Sequence, residues 1–162
     1  MYLIVHTSAS LVIGSQISNP WLAFVLAFLA HFALDSIPHD SKKMHNWLYN
    51  KDINYQNKIF FFLALADFGL ISILLSTLYF TNKLVFSFPM GAAIIGGVLP
   101  DILWGINSLT KGKNILLQAY HLFHSYLDRH FLFKYFLLSN FLSFFVQIFT
   151  FIFFLIVYLK NI

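Results

Sequence analysis

The chain has 162 residues, of which 59% are hydrophobic and only 10% are Asp, Glu, Lys or Arg. A soluble domain of this length could not bury so much apolar surface, because exposed surface remains a large fraction of any small fold. The formal charge of +4, without a basic patch interleaved with aromatic residues, argues against a nucleic-acid partner. We therefore predict a single membrane-embedded domain over 1–162, with membrane lipids as its main partners.

Hydropathy and helix-breaking residues predict an all-α, polytopic membrane bundle of five or six helices, one of them short or interfacial. The first helix, Tyr2–Ile17, ends at a Ser-Asn-Pro break, and the second, Trp21–Ile37, ends at a proline. A polar loop over 39–57 precedes the third helix, Lys58–Phe80. At about 1.5 Å per residue, this third helix is long enough to cross a hydrocarbon core of about 30 Å.

The second half of the chain contains the remaining helices. The fourth, Phe86–Ile106, is rich in glycine, and its small residues recur at a spacing of four through Gly96 and Gly97. This spacing permits close backbone contact between membrane helices. Ile115–Leu127 is predicted to be a half-length helix followed by a break, and the final span lies within Phe131–Tyr158.

The lysine residues predict the orientation of the bundle, because positive charge is concentrated in cytoplasmic loops. One side carries only Lys83 and the terminal Lys160. The opposite side carries Lys42, Lys43, Lys51, Lys58, Lys111 and Lys113. We expect this lysine-rich side, together with the amino terminus, to be cytoplasmic.

Nearly all ionisable side chains within the predicted helices fall at a similar depth near the cytoplasmic side. A charged Asp at the centre of a membrane helix costs at least about 2.5 kcal/mol, so such residues usually face the bundle interior and a partner. No Lys or Arg lies among them, and a divalent cation would supply the missing charge. The predicted metal ligands are His6, His31, Asp35, Asp67, Asp101, His121 and His124.

Two His/Asp pairs have the spacing of metal-binding pairs on a helix. His31 and Asp35 are four residues apart and therefore share one helix face, and His124 and Asp128 repeat this spacing. The chain has no Cys, so any metal must be bound by imidazole, carboxylate or backbone oxygen. Each pair could hold one ion from successive turns, and His39 is expected to line the mouth of the site.

Other features leave more than one interpretation open. Pro100 directly precedes Asp101 and is expected to free backbone carbonyls near the ion. A single interfacial His such as His6 can be hydrogen-bonded to a neighbouring helix instead of binding metal. Asp67 can be a proton-coupled carboxylate or an acceptor of hydrogen bonds between helices.

Four short motifs, taken together, resemble the YdjM-like family of small, polytopic inner-membrane proteins, which are regarded as metal-dependent hydrolases. They are His6-Thr7-Ser8-Ala9, His31…Asp35…Pro38, Leu99-Pro100-Asp101 and His121…His124-Ser125. The order differs from the family pattern, because the His-x3-Asp element comes before the LPD and paired-His elements. The family is in turn similar to the zinc-dependent phospholipase C and P1 nuclease group. The resemblance implies a prokaryotic plasma (inner) membrane and a catalytic metal.

The residues and the resemblance together predict a membrane-embedded, metal-dependent hydrolase of phosphoester bonds in a lipid or lipid-surface substrate. Zinc is the first candidate metal, with manganese and iron as alternatives. The metal would lower the pKa of a bound water to about 7, and Asp101 or Asp67 would accept its proton. Two alternatives stay open: a metal-ion or proton-coupled transporter, and a non-catalytic scaffold with a closed structural metal site.

Overall fold

The computed structural model describes residues 1–39, 50–110, 112–130 and 139–162, except for the side chains of Ile53, Asp128, Arg129 and His130. All regular structure in these ranges is helical, which confirms the predicted all-α fold. The helices are α1 (Leu3–Gln16), α2 (Pro20–Asp35), α3 (Ile53–Phe80), α4 (Phe88–Leu109), α5 (Ile115–His130) and α6 (Asn140–Lys160). By length and composition, α3, α4 and α6 could each cross a membrane, and α2 is a shorter apolar helix.

The start of α3 differs from the prediction. The helix begins at Ile53 rather than at Lys58, within what the sequence indicates is a polar loop. The carboxylate of Asp52 accepts hydrogen bonds from the amides of Asn54 (2.9 Å) and Tyr55 (3.1 Å), which caps the helix at this point. α3 therefore begins with a polar turn, which precedes the predicted apolar span in the same helix. The bounds of α1, α2 and α4 lie within three residues of the predicted ones.

The predicted break after Leu127 is wrong, because α5 continues to His130. The three residues in question are polar but include neither glycine nor proline, and polarity alone does not end a helix. Of the predicted final span, 131–138 lies outside the described residues. The described part forms α6, which ends at Lys160, beyond the predicted end at Tyr158.

α1 lies between the other helices and packs against α2, α3, α4 and α6. Its hydroxyl side chains Thr7, Ser8 and Ser10 are buried. Each donates a hydrogen bond to a backbone carbonyl of α1 itself, at 2.7 to 2.9 Å. These three buried hydroxyls are therefore satisfied within α1 itself, without access to water.

Two glycines of α4 permit the close packing that the sequence predicts. A Cβ atom added at Gly96 would collide with the backbone carbonyl of Phe24 in α2. One added at Gly97 would collide with the hydroxyl of Ser10 in α1. The predicted close contact of this stretch with neighbouring helices is confirmed, and it holds the middle of α4 directly against α1 and α2.

Contacts between helix ends define two ends of the bundle. Gln147 of α6 accepts a hydrogen bond from the Tyr2 amide (2.9 Å), and its side-chain amide is 3.5 Å from the carbonyl of His39, which follows α2. At the opposite end, the hydroxyl of Tyr158 donates to the carbonyl of Lys83, in the turn after α3 (2.9 Å). The start of α1, the end of α2 and the start of α6 therefore lie together, at what we call the site end.

Two buried apolar clusters give the direction of α3. Ile71 belongs to the same cluster as Leu3, at the start of α1, and Leu78 to the same cluster as Leu11, further along α1. α3 therefore runs parallel to α1, and its first half extends past the start of α1 at the site end. Of the lysines that predict a cytoplasmic orientation of this end, Lys42, Lys43 and Lys111 lie outside the described residues.

Candidate metal centre

Four of the predicted ligands lie together at the site end, although they come from three helices, α2, α4 and α5. His31, Asp35, Asp101 and His124 each offer one nitrogen or oxygen atom, and these four atoms all lie within 4.8 Å of one another. We call these residues the His–Asp group. Ligand atoms about 2.0–2.2 Å from a zinc ion are roughly 3.4 Å apart in a tetrahedral site, so the group is slightly wider than a closed zinc shell.

His31 has the environment of an imidazole prepared to bind a cation. Its Nδ1 lies 2.9 Å from the backbone carbonyl of Gly97, and a carbonyl can only accept, so Nδ1 is the protonated nitrogen. Its Nε2 lies 3.0 Å from an oxygen of Asp35 and 3.7 Å from one of Asp101. This Nε2 makes no hydrogen bond within the described ranges. A backbone carbonyl that fixes the outer nitrogen is typical of metal-binding histidines.

Asp35 is the most connected carboxylate of the group. One oxygen, Oδ2, faces His31, and the other, Oδ1, lies 2.6 Å from the amino nitrogen of Met1 and 3.3 Å from Nε2 of His6. Nε2 of His39 is 4.0 Å from the same Oδ1. The carboxylate is buried, so its position is fixed from several sides.

His6 borders the group from α1. Its ring stacks on that of His31, with centroids 4.0 Å apart and an angle of 23° between the ring planes. Nε2 of His6 is also 4.0 Å from an oxygen of Asp101. The residue is buried, and neither ring nitrogen makes a hydrogen bond to any part of the chain that the structure describes. His6 therefore lies close enough to the group to supply a further nitrogen.

Asp67 is placed differently. Its Oδ2 accepts a hydrogen bond from the amide of Leu3 (2.6 Å) and its Oδ1 one from the amide of Ile4 (3.3 Å). These amides belong to the first turn of α1, where the residue at the N-cap, Tyr2, provides no side-chain hydrogen bond. Asp67 therefore caps α1 from α3, as an acceptor of hydrogen bonds between helices, and the structure does not bring it into the His–Asp group.

His121 is also outside the group. It lies nearly one turn before His124 on α5, and its ring centroid is 6.0 Å from that of Trp104 in α4. The side chain of Asp128 lies outside the described residues, so the predicted pairing of Asp128 with His124 stays a prediction.

The backbone carbonyl near the group belongs to Gly97. α4 continues through Pro100 without an interruption of the helix, and the Gly97 carbonyl contacts the imidazole of His31. The sequence predicts free backbone carbonyls near the ion, whereas the observed carbonyl is hydrogen-bonded to the side chain of His31.

Sequence reasoning places His39 only at the mouth of the site and does not include the amino nitrogen of Met1. His39 could have been found, because it lies four residues after Asp35, the same spacing that identifies His31. The contact of the Met1 nitrogen has no signature in the sequence, since it depends on how α1 packs beside α2.

A cavity of about 690 Å³ adjoins the group at Asp101. Its walls come from the first half of α3, the second half of α4, the start of α6 and the first three residues of the chain. Much of the lining is aromatic or aliphatic, including Phe60, Phe68, Ile102 and Trp104. The volume lies within the range of about 300–1,000 Å³ that is usual for small-molecule sites.

Comparison with protein-family models, curated proteins and solved structures finds no match to this chain. The resemblance to the YdjM-like family therefore rests on its four short motifs and stays a prediction.

Proposed function

We propose that this chain is a membrane-embedded, metal-dependent hydrolase of phosphoester bonds, with the His–Asp group as its metal centre. The observation that carries the proposal is the convergence of two imidazoles and two carboxylates from three helices within 4.8 Å. Ionisable side chains are rare in membrane bundles and mark functional sites when they cluster. We further propose a prokaryotic inner membrane as the location, with the site end facing the cytoplasm, in agreement with the lysine distribution.

The donor set fits a divalent transition metal. Imidazole nitrogen and carboxylate oxygen are the ligands of many zinc sites, and manganese and iron accept the same donors. The buried Nε2 atoms of His6 and His31 make no hydrogen bond with the described residues, yet both lie within 3.3 Å of an oxygen of Asp35, an arrangement that supports a cation shared by imidazole and carboxylate. We propose zinc first, because His and Asp ligands without water-rich surroundings favour it over magnesium or calcium.

A bound divalent ion supplies Lewis acidity to a phosphoryl oxygen and activates a water for attack. The residues of the chain have distinct roles around it: Gly97 holds the imidazole of His31 in one tautomer, and Asp35 is fixed within the bundle. Asp101 is different, because its side chain is 28% exposed and lines the cavity. Its carboxylate accepts no hydrogen bond from the described residues, so it can take the proton of the attacking water.

The position of Asp101 also bears on the two alternatives. A structural metal site is closed by protein ligands, whereas an exposed ligand beside a cavity supports an open coordination position. A transporter needs access to its site from both sides of the membrane. The cavity that adjoins the group lies at the site end, which favours hydrolysis over transport.

Elemental analysis of the purified protein tests the metal centre. We expect stoichiometric metal in the wild type, and a loss of at least about tenfold in His31→Ala and Asp35→Ala, because even the loss of an outer-shell partner of a ligand weakens metal affinity by about 10- to 100-fold. Asp52→Ala is the matched control, since Asp52 caps α3 at the surface and lies outside the group. Well-folded wild-type protein without metal would refute the proposal.

Hydrolysis of bis-p-nitrophenyl phosphate tests the reaction. We expect Asp101→Asn to lower kcat by about 100-fold or more, the usual effect of losing a general base, while the amide oxygen preserves part of the metal affinity. Uptake of metal ions into liposomes by the wild type, without phosphodiester turnover, would favour the transporter. Bound metal with neither uptake nor turnover of any phosphoester would favour the scaffold.

A further inference from the structure

The polar side chains that line the cavity are largely committed to the protein itself. Five of them are hydrogen-bonded to other residues of the chain. These are Asn57 with Ser108, Asp67 with the amides of Leu3 and Ile4, Ser143 with the carbonyl of His39, and Gln147 with the Tyr2 amide. They therefore contribute little to the recognition of a polar ligand, and the rest of the wall is mainly apolar.

Asp101 differs from these five residues. It lines the cavity, and its nearest described partners are the imidazoles of His6 and His31, at 4.0 and 3.7 Å. The cavity thus has an apolar body and one charged edge, which is shared with the His–Asp group. A ligand that fits both parts has a hydrocarbon segment and a single polar end.

The cavity also opens towards the surface that faces hydrocarbon. Phe61 and Leu65 of α3 and Phe144 of α6 line it, yet they are 54%, 58% and 54% exposed. Both helices are long and apolar enough to cross a membrane. An apolar ligand can therefore reach the cavity sideways from the bilayer, without passing through water.

We propose that this cavity binds the hydrocarbon chain of a phosphorylated lipid that enters from the bilayer, with its phosphate beside Asp101 and the His–Asp group. The placement of the phosphate rests on the proposed function, whereas the binding of the chain rests on the cavity alone. The substrate is then a lipid held by its chain, and soluble phosphoesters that lack a chain are poor substrates.

Two glycines provide a matched test. Gly105 lines the cavity and Gly69 lies on the exposed surface of α3 away from it, and a Cβ atom added at either position meets nothing within 4 Å. Gly105 lies within α4 and Gly69 within α3, and both helices are long and apolar enough to cross a membrane. Gly105→Phe should place an aromatic ring inside the cavity, whereas Gly69→Phe adds the same side chain to the lipid-facing surface.

The direct experiment uses phosphatidic acid with a photoreactive diazirine in one acyl chain, mixed into phosphatidylcholine vesicles that contain the protein. After irradiation, mass spectrometry locates the labelled peptides. We expect labels on the parts of α3 and α4 that line the cavity, and a decrease of about tenfold in Gly105→Phe but not in Gly69→Phe, because only the former occupies the pocket. Equal labelling of both variants, or labels confined to outer helix faces, would overturn the proposal. Cross-links to a second copy of the chain at the cavity residues would also overturn it.

Turnover separates this proposal from the proposed function. The ratio of turnover on long-chain phosphatidic acid to that on bis-p-nitrophenyl phosphate should fall about tenfold in Gly105→Phe and stay constant in Gly69→Phe. If the protein binds metal and hydrolyses phosphoesters, but neither labelling nor the turnover ratio changes in Gly105→Phe, only the binding of the chain is refuted and the proposed function stands. If labelling decreases in Gly105→Phe but the wild type contains no metal, the metal-dependent hydrolase is refuted and the lipid-binding cavity stands.

Discussion

α1 and α3 run parallel through the same bundle but have opposite surroundings. α1 has 14 residues, includes Thr7, Ser8 and Ser10, and is largely buried. α3 has 28 residues and is mainly apolar, yet most of its large side chains, such as Phe62 and Ile73, are exposed. In a water-soluble bundle the polar helix would face outward and the apolar one inward. The reversal indicates that hydrocarbon covers α3 and that the bundle interior is the polar region.

The contact between the two helices also explains why a helix as short as α1 can lie at the centre of the bundle. At about 1.5 Å per residue, α1 is about 21 Å long, less than a hydrocarbon core of about 30 Å. Its free amides would be costly in lipid, but Asp67 of α3 accepts hydrogen bonds from two of them. α3 therefore has two roles. Its outer face borders lipid, and one buried carboxylate on its inner face accepts hydrogen bonds from the first amides of α1.

The largest expected effect comes from adding a side chain at the interior rather than at the lipid-facing surface. Gly96→Leu places a Cβ against the backbone of Phe24, which cannot move without displacing α2. We expect a loss of about 3 kcal/mol or more in the free energy of unfolding, measured by titration with dodecyl sulfate in mixed micelles. Gly69→Leu, with open space around it, should change this free energy by less than about 0.5 kcal/mol. Similar losses in both variants would contradict the assignment of interior and lipid-facing surfaces.

The parts of the structure that sequence could predict are those with a direct energetic signature. Helix positions follow from hydropathy, and His31 and Asp35 follow from a spacing that puts two costly polar groups on one helix face. Asp101 follows from the same cost, because a carboxylate within an apolar helix needs a partner. The convergence of these three residues with His124 is therefore predictable from the topology.

The remaining parts depend on partners that have no side-chain signature. Asp67 looks like another ligand in the sequence, but its partners are backbone amides, which every residue except proline possesses. The start of α3 depends on a single cap at Asp52. The ring of His121 lies beside Trp104 rather than in the His–Asp group, and the packing of α5 on α4 determines this position. In each case tertiary contacts decide between alternatives that the residue types leave equal.

A smaller effect, expected at Asp67, tests the link between the two helices. Asp67→Ala removes the acceptor for the amides of Leu3 and Ile4, and we expect a loss of about 1–3 kcal/mol in the free energy of unfolding, because both amides lose their partner in the interior. Asp67→Asn keeps one carbonyl oxygen and should lose less. Faster hydrogen exchange at the amides of Leu3 and Ile4 in the Ala variant would locate the effect at the start of α1.

The metal content should stay near that of the wild type in both variants, since the carboxylate of Asp67 is hydrogen-bonded to α1. If both variants instead lost the metal while the unfolding free energy stayed constant, Asp67 would be a ligand, and α1 would depend on another residue for its cap.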